Sequence, residues 1–511
     1  MSPVRIALAL LALAAVVWVG LTYVAPGSDP LHSLAWGAVL GDGVRPLLTS
    51  QLTPATHPLP IGVGLLLSPL SPTAAYQVYS VIGAATIALL IYAIFRLARS
   101  LAGARAGERL AIGAGALALI LILIRPRFEL YALQVVVEVP FAALIMLALA
   151  LVAESPRERP WLPLTLLALA GLLRPEAWAL GILYCAWLAW EGVRGRELAL
   201  VAAIALAAPA LWFCFDVLIA QDALNSIDPD KHENTARDVG FGISQAEIER
   251  AEGPEDILPG RNTDIALSYV RTLAGDPLAL IGLLVMITAL LPWPARLRSV
   301  PRRSRFALVA GVAVLLVAQN VILAELGSPI GERYLVTPAL LLVLLACSAV
   351  WLLPRPRAAL AGAAALVALV VFVNPEKPAE TLEKPGDFRG FRAEHRDVLE
   401  LASLDQVHGA VNSGCGRIGV GGRNRGRIVA ARPLVAMSLG LDLPRIKILR
   451  APRGKHNQSN FRRDLPTGPP PFLRRGIWVY RGECLSRAGP APKSRGTPED
   501  RSTGARGAGG G

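Results

Sequence analysis

The chain has 511 residues, 53% of them hydrophobic and only 17% charged, with a formal net charge of +13 and a mean hydropathy of +0.48. Soluble domains carry about a quarter charged residues, and here the apolar residues come in blocks rather than at amphipathic spacing, which excludes an ordinary soluble globular fold. The positive balance would suggest nucleic acid in a soluble protein; beside apolar blocks it reads as basic cytoplasmic loops and a basic tail, so nucleic acid is not expected as a partner.

A membrane span needs roughly 20 apolar residues to cross about 30 Å of hydrocarbon, and backbone groups cannot stay unpaired in lipid, so each block reads as a helix. The fold class is therefore an all-α polytopic membrane protein of about 11 transmembrane helices, near 5–25, 74–95, 110–124, 138–153, 161–173, 176–190, 198–220, 277–293, 306–324, 335–353 and 357–373. The first follows a short basic start ending in Arg5 and lacks a small-x-small cleavage site, so it is read as an uncleaved anchor with a cytoplasmic N-terminus. Residues 161–190 admit one broken span or two short helices turning at Leu173-Arg174-Pro175-Glu176. Pro175 disfavours a helical Arg174, which suits the turn. With that turn, the loops holding Arg96, Arg99, Arg105 and Arg109, and Arg296, Arg298, Arg302, Arg303 and Arg305, fall in the cytoplasm, as short Arg-rich loops should. Segments 26–73, 221–276 and 374–511 then face outside, making the C-terminus extracytoplasmic in a multi-pass plasma-membrane protein.

Several ionisable groups fall on that outer side. Asp29, just past the first span, could serve as a base tuned by desolvation and a nearby cation; equally, it could cap a surface helix beginning at Pro30. Glu138 sits between apolar residues where the fourth span begins. Groups at that depth usually face a cavity or a partner, although snorkelling would also serve. Arg125 and Arg127, just upstream, could pair with it or contact a phosphate. Arg174 and Glu176 could satisfy one another, or Arg174 could grip an anionic headgroup bidentately. Glu332-Arg333-Tyr334 enters the tenth span from the same side. Together these groups would suit a phosphorylated lipid and a hydroxylated acceptor.

Five segments in this order carry a resemblance: Asp29-Pro30, Thr56-His57-Pro58-Leu59, Glu138-Val139-Pro140-Phe141, Gly171-Leu172-Leu173-Arg174-Pro175-Glu176-Ala177-Trp178 and Arg333-Tyr334-Leu335-Val336-Thr337-Pro338. Over residues 1–353 the chain resembles the GT-C superfamily of polyprenyl-phosphate-sugar-dependent glycosyltransferases, near its bacterial and mannosyltransferase-like branches and most like actinobacterial members. The resemblance implies an enzyme that moves a hexose or pentose from a polyprenyl-phosphate donor to an envelope glycan, lipid or protein acceptor on the outer face. It makes Asp29 the catalytic base and Glu138 the second acidic residue, where the family usually has Asp. His57, Arg174, Glu176 and Arg333 become substrate-binding. An acidic pair directly after the first span, seen in some branches, is absent; a divalent metal is left open and no metal ligand is assigned.

The implied organisation is a transmembrane module over 1–353 with outer loops 26–73 and 221–276, a last helix over 354–373, an extracytoplasmic region over 374–484 with a small α/β fold, and a disordered tail over 485–511. Cys185, Cys214 and Cys347 lie in spans, whereas Cys415 and Cys484 would both be extracytoplasmic and could form a disulfide. The run Gly421–Arg427 reads as a basic turn rather than a phosphate loop. Two other classes stay open: a secondary transporter, for which no internal repeat is visible, and an inactive envelope-assembly scaffold.

Overall fold

The computed structural model describes residues 3–43, 56–102, 107–123, 125–221, 261–290, 301–325, 332–350, 361–367 and 385–403, with the short segments 418–421, 433–439, 446–448, 472–475 and 478–482. Along the chain run α1 (Pro3–Thr22), α2 (Ser28–Gly41), α3 (Pro58–Leu67), α4 (Pro72–Ala102), α5 (Gly107–Leu123), α6 (Pro126–Leu133), α7 (Glu138–Glu154), α8 (Trp161–Gly171), α9 (Glu176–Trp190) and α10 (Gly195–Phe215). They continue as α11 (Arg261–Ala274), α12 (Asp276–Leu290), α13 (Pro301–Glu325), α14 (Val336–Val350) and α15 (Pro385–Ala402).

Helices occupy the predicted span positions. Among the described residues, four stretches are long and apolar enough to cross a membrane alone: Pro72–Leu101, Gly195–Ile219, Ser304–Glu325 and Glu332–Val350. Two bent pairs, α6 with α7 at 98° and α11 with α12 at 112°, raise the number to six if each is one span. The protein is a multi-pass helical membrane protein, with four to six helices passing that length test among the described residues. Of the eleventh predicted span, only 361–367 lies within the described residues, and it is helical.

A helix that is apolar all round must be buried in protein or face lipid, and both cases occur. Helix α7 is enclosed, with Ala142, Ala143, Ile145 and Met146 fully buried, and it packs on α4, α8 and α14. Burial reaches 78% in the span containing α14 but only 22% in the one containing α10, so α14 is interior and α10 peripheral. Leu10, Leu11 and Leu13 of α1, and Leu200, Leu206 and Leu211 of α10, are exposed toward what would be lipid.

The predicted outer loop 26–73 contains two helices. Helix α2 is not a surface helix: Leu31, Leu34, Ala35 and Trp36 are at most 2% exposed. It crosses α3 at a very close approach, since a Cβ on Gly37 would lie 2.3 Å from the Gly64 backbone. Helices α8 and α9 are indeed two short elements turning at Arg174-Pro175, where the Arg174 N–H closes the turn onto the Ala170 carbonyl at 2.8 Å.

Residues 385–482 include helix α15 and a four-stranded sheet of β1 (Ile418–Gly421), β2 (Ile446–Ile448), β3 (Phe472–Arg475) and β4 (Trp478–Gly482) in the order β2-β1-β4-β3. Strand β1 pairs in parallel with β2 and antiparallel with β4. A parallel neighbour demands a crossover, and the connection contains the helical segment 433–439. The α/β character expected here is therefore present. Helix α15 rests on the membrane module: the Arg392 guanidinium donates to the Gly20 carbonyl at 2.7 Å and the Val24 carbonyl at 2.5 Å, and Tyr76 of α4 lies 3.0 Å from His395 Nδ1. Cys415, Cys484, most of Gly421–Arg427 and the tail over 485–511 lie outside the described residues.

Candidate functional site

Short backbone bridges bring distant segments together. After α1 the chain runs extended, and the N–H groups of Ala25 and Gly27 donate to the carbonyls of Leu133 and Gln134 at 3.0 and 2.8 Å. This ties the start of α2 to the α6–α7 bend. At that bend Val135 has φ +55°, a left-handed conformation that a β-branched residue rarely adopts. The Leu59 N–H reaches the Leu172 carbonyl at 3.3 Å, tying the start of α3 to the Arg174 turn. The consequence is that α2, α7 and α9 begin in one place, with Asp29, Glu138 and Glu176 in their first turns, and the 3-10 turn Glu332–Leu335 leads into α14 beside them. The N-terminus of a helix carries partial positive charge and free N–H groups, so a carboxylate or another anion is favoured there.

Within this convergence the side chains form one ion-pair network. The Arg174 guanidinium donates from Nη1 to Glu138 Oε1 at 3.1 Å, from Nε to Glu176 Oε2 at 3.2 Å, and from Nη2 to Glu176 Oε1. Arg333 donates to Asp29 Oδ2 and lies 3.6 Å from Glu138 Oε1. Glu138 thus joins the two arginines, and neither snorkels nor stands alone. Arg174, Glu138 and Glu176 side chains are 7%, 2% and 4% exposed, whereas Arg333 is 32% and Asp29 15% exposed. The inner half is locked and the outer half is reachable. Tyr334 stacks into the network, its ring centre 4.3 Å from the Arg174 guanidinium carbon and 5.3 Å from that of Arg333; such contacts add attraction where water is excluded.

Both readings of Asp29 need revision or refinement. It is not the cap of a helix starting at Pro30: α2 starts at Ser28, Gly27 occupies the cap position without a side-chain cap, and the Asp29 carboxylate turns to Arg333. Burial pushes this carboxyl up, but the Arg333 charge and hydrogen bond, with His57 and His32 nearby, outweigh it and hold the group below its usual range. His57 is close enough to feel the charges of Asp29, Arg174 and Arg333. Burial pushes its imidazole down to about 4 against the pull of Asp29, and Arg174 and Arg333 add to the decrease. It is therefore a neutral ring at neutral pH.

Some polar atoms remain unused. Glu138 Oε2, His57 Nδ1, Trp212 Nε1 and Glu332 Oε1 are buried and have no hydrogen-bond partner among the described residues. Buried polar groups are nearly always paired, so a cluster of such atoms fits a polar ligand or ordered water. Trp212 completes an aromatic wall, edge-on to His57 at 6.2 Å and to Trp178 at 5.7 Å. The sequence reading missed Trp212, because a Trp closing an apolar block reads as an interfacial anchor. It named Tyr334 without assigning it a role. Arg127, considered there for Glu138, pairs instead with Glu332. The guanidinium of Arg125 sits against Gly275, where any side chain would collide with it.

A divalent metal does not fit this donor set. Each of the carboxylates Asp29, Glu138 and Glu176 already faces a guanidinium, and no group of three or more His, Cys, Asp or Glu among the described residues is arranged to hold a metal.

No family model matches the chain, and no curated protein does. Two solved structures are similar to it, both of ArnT from Cupriavidus metallidurans: one in the apo state, at TM-score 0.43 and 16% identity, and one bound to undecaprenyl phosphate, at TM-score 0.44 and 17% identity. Each match covers 86% of this chain and 77% of the other. Neither likeness, at those TM-scores, bears on which residues act; the ion-pair network at the joined helix starts is this chain's candidate site.

Proposed function

We propose that the protein is an integral membrane glycosyltransferase of GT-C type, which transfers a sugar from a polyprenyl-phosphate donor to an envelope acceptor at this network, on the extracytoplasmic face. One observation carries the reading: a largely covered but reachable carboxylate, Asp29, is held by a partly exposed arginine, Arg333, at a place where helix starts and a second arginine also favour an anion. A base and an anion-binding group are thus partners in the resting protein.

The chemistry follows from exchanging that partner. When the donor phosphate takes over Arg333, Asp29 loses the contact that lowers its proton affinity while keeping the burial that raises it. The freed carboxylate then removes the acceptor hydroxyl proton. The acceptor oxygen attacks the anomeric carbon, the bond from that carbon to the phosphate oxygen breaks with inversion, and its electron pair leaves on the polyprenyl phosphate. Arg333, steadied by Tyr334, stabilises that developing charge, a kind of stabilisation that is often the largest catalytic contribution. Glu138 and Arg174 form the rigid floor, with the unpaired atoms of Glu138, His57 and Trp212 available to sugar hydroxyls. Because a phosphate must displace a carboxylate, binding selects an anionic headgroup over a neutral one.

The test is polyprenyl-phosphate binding to the purified protein in nanodiscs. Arg333→Gln should weaken binding at least tenfold, as expected when a charge-assisted contact is lost, while Asp29→Asn should bind as well as wild type or better. Equal affinity in the wild type and Arg333→Gln would remove Arg333 from the phosphate site and the proposed exchange with it.

A further inference from the structure

At the other end of α7 the structure contains a cavity whose lining includes none of the network residues. Glu138 and Glu154 stand at opposite ends of this 17-residue helix, about 24 Å apart at the usual rise. A groove of about 710 Å³ runs from mid-helix toward the Glu154 end, between α7, α8, α9 and α13. This volume is within the roughly 300–1,000 Å³ typical of ligand sites. Its walls are aliphatic and aromatic, including Leu149, Tyr184 and Trp187, the last two stacked at 5.9 Å. Leu183, which lines it, is 55% exposed. The groove therefore opens sideways between α9 and α13, where the surroundings of a membrane protein are lipid.

Its mouth is charged, and the charges are not equally matched. Glu154 is satisfied by Arg96 at 2.9 Å and by the Ser100 hydroxyl at 3.0 Å. Arg305, which also lines the groove, donates from Nη1 to the Ser100 carbonyl at 2.8 Å and makes no ion pair among the described residues. One guanidinium is thus left with a neutral partner at the rim among the described residues, on the end of the molecule where Arg96 of α4 also lies; in sequence these two arginines belong to the Arg-rich stretches 96–109 and 294–305. Basic segments beside a membrane attract anionic lipid headgroups.

We propose that this groove binds a phospholipid from the leaflet beside the Arg-rich loops, with one acyl chain between α9 and α13 and the anionic phosphate at Arg305. The occupant is a lipid because the opening lies on the apolar flank, and an anionic one because the cation at its rim, Arg305, faces a neutral carbonyl and no carboxylate pairs with it among the described residues. The site is separate from the Asp29–Arg333 network and does not depend on what that network does.

Gly311 provides a clean probe. It lines the groove, and a Cβ added there would meet nothing within 4 Å, so Gly311→Phe should fill the groove without disturbing the helices. The experiment is native mass spectrometry of the full chain, delipidated and then supplied with phosphatidylglycerol or phosphatidylcholine, alongside its melting temperature in detergent. The wild type should retain one phosphatidylglycerol in preference to phosphatidylcholine and melt higher with it. Gly311→Phe should melt like the wild type without lipid yet lose that retention and the upward shift. Arg305→Gln should keep lipid binding but lose the preference for phosphatidylglycerol by roughly fivefold, the scale of one basic residue at an anionic surface. Undiminished phosphatidylglycerol retention in Gly311→Phe would overturn the groove as the site. An unchanged headgroup preference in Arg305→Gln would overturn the role of its charge.

Discussion

Replacing Arg174 with Gln separates the architecture of the network from its chemistry. This guanidinium is 7% exposed and faces two carboxylates, Glu138 and Glu176, that are 2% and 4% exposed. Its loss leaves both acids in a buried site, with Arg333 at 3.6 Å the remaining cation beside Glu138 and only helix N-termini to help Glu176. Breaking a buried pair typically costs about 3–5 kcal/mol, because a charge is left without its partner. The cost in Arg174→Gln should lie in that range. The double variant Arg174→Gln/Glu176→Gln removes the stranded charge and should recover most of the loss. The assay is thermal unfolding of wild type, both single variants and the double variant in nanodiscs, read as a double-mutant cycle. A loss below about 1 kcal/mol in Arg174→Gln, the scale of an exposed pair, would refute the claim that this arginine holds the floor of the site.

Further consequences can be checked with the same protein. Arg333→Gln removes the main contact that holds Asp29 down and leaves burial opposed only by the weaker pull of His57 and His32, so the acidic limb of any pH–activity profile should move to higher pH; a limb that stays in place would mean another group controls it. In wild type, any stability that comes from ionised Asp29 is present above its unfolded pKa and is lost as pH falls through its lower folded value. His57 should stay neutral down to about pH 4. Its burial in the neutral form therefore opposes the fold below the usual histidine value of about 6.5, and a resolved histidine titration near 6.5 assigned to it by labelling would contradict the structure. Gly37→Ala places a methyl 2.3 Å from the Gly64 backbone, so it should lower the melting temperature and displace Asp29 through α2; a stable and fully active variant would show that this crossing is looser.

The helices were readable because lipid allows an apolar block little choice, and the two-helix interpretation of 161–190 followed from keeping the five-Arg loop in the cytoplasm, with the limits that Pro175 places on Arg174 making the turn reasonable. The pairing of Arg174 with Glu176 was also legible, being local. What joins Arg333 to Asp29 was not, because 304 residues separate them in sequence and their meeting depends on tertiary packing, in which bridges such as Gly27 to Gln134 tie the start of α2 to the α6–α7 bend. Helix α2 was hard to see for a different reason. Its Ser, Asp, His and Trp lower its hydropathy below that of a span, although nine of its 14 residues are buried by protein. The idle atoms of Glu138, His57 and Trp212 needed coordinates, since an unmet hydrogen bond leaves no mark on a sequence.

The central claim is that the Asp29–Arg333 network transfers a sugar from a lipid phosphate. The most direct measurement is the release of polyprenyl phosphate from a radiolabelled polyprenyl-phosphate sugar by purified protein in vesicles supplied with envelope acceptors. The wild type should release polyprenyl phosphate and label the acceptor, whereas Asp29→Asn should insert and fold normally but transfer at least 100-fold more slowly, as expected for loss of a general base. Transfer by Asp29→Asn at the wild-type rate would contradict the account.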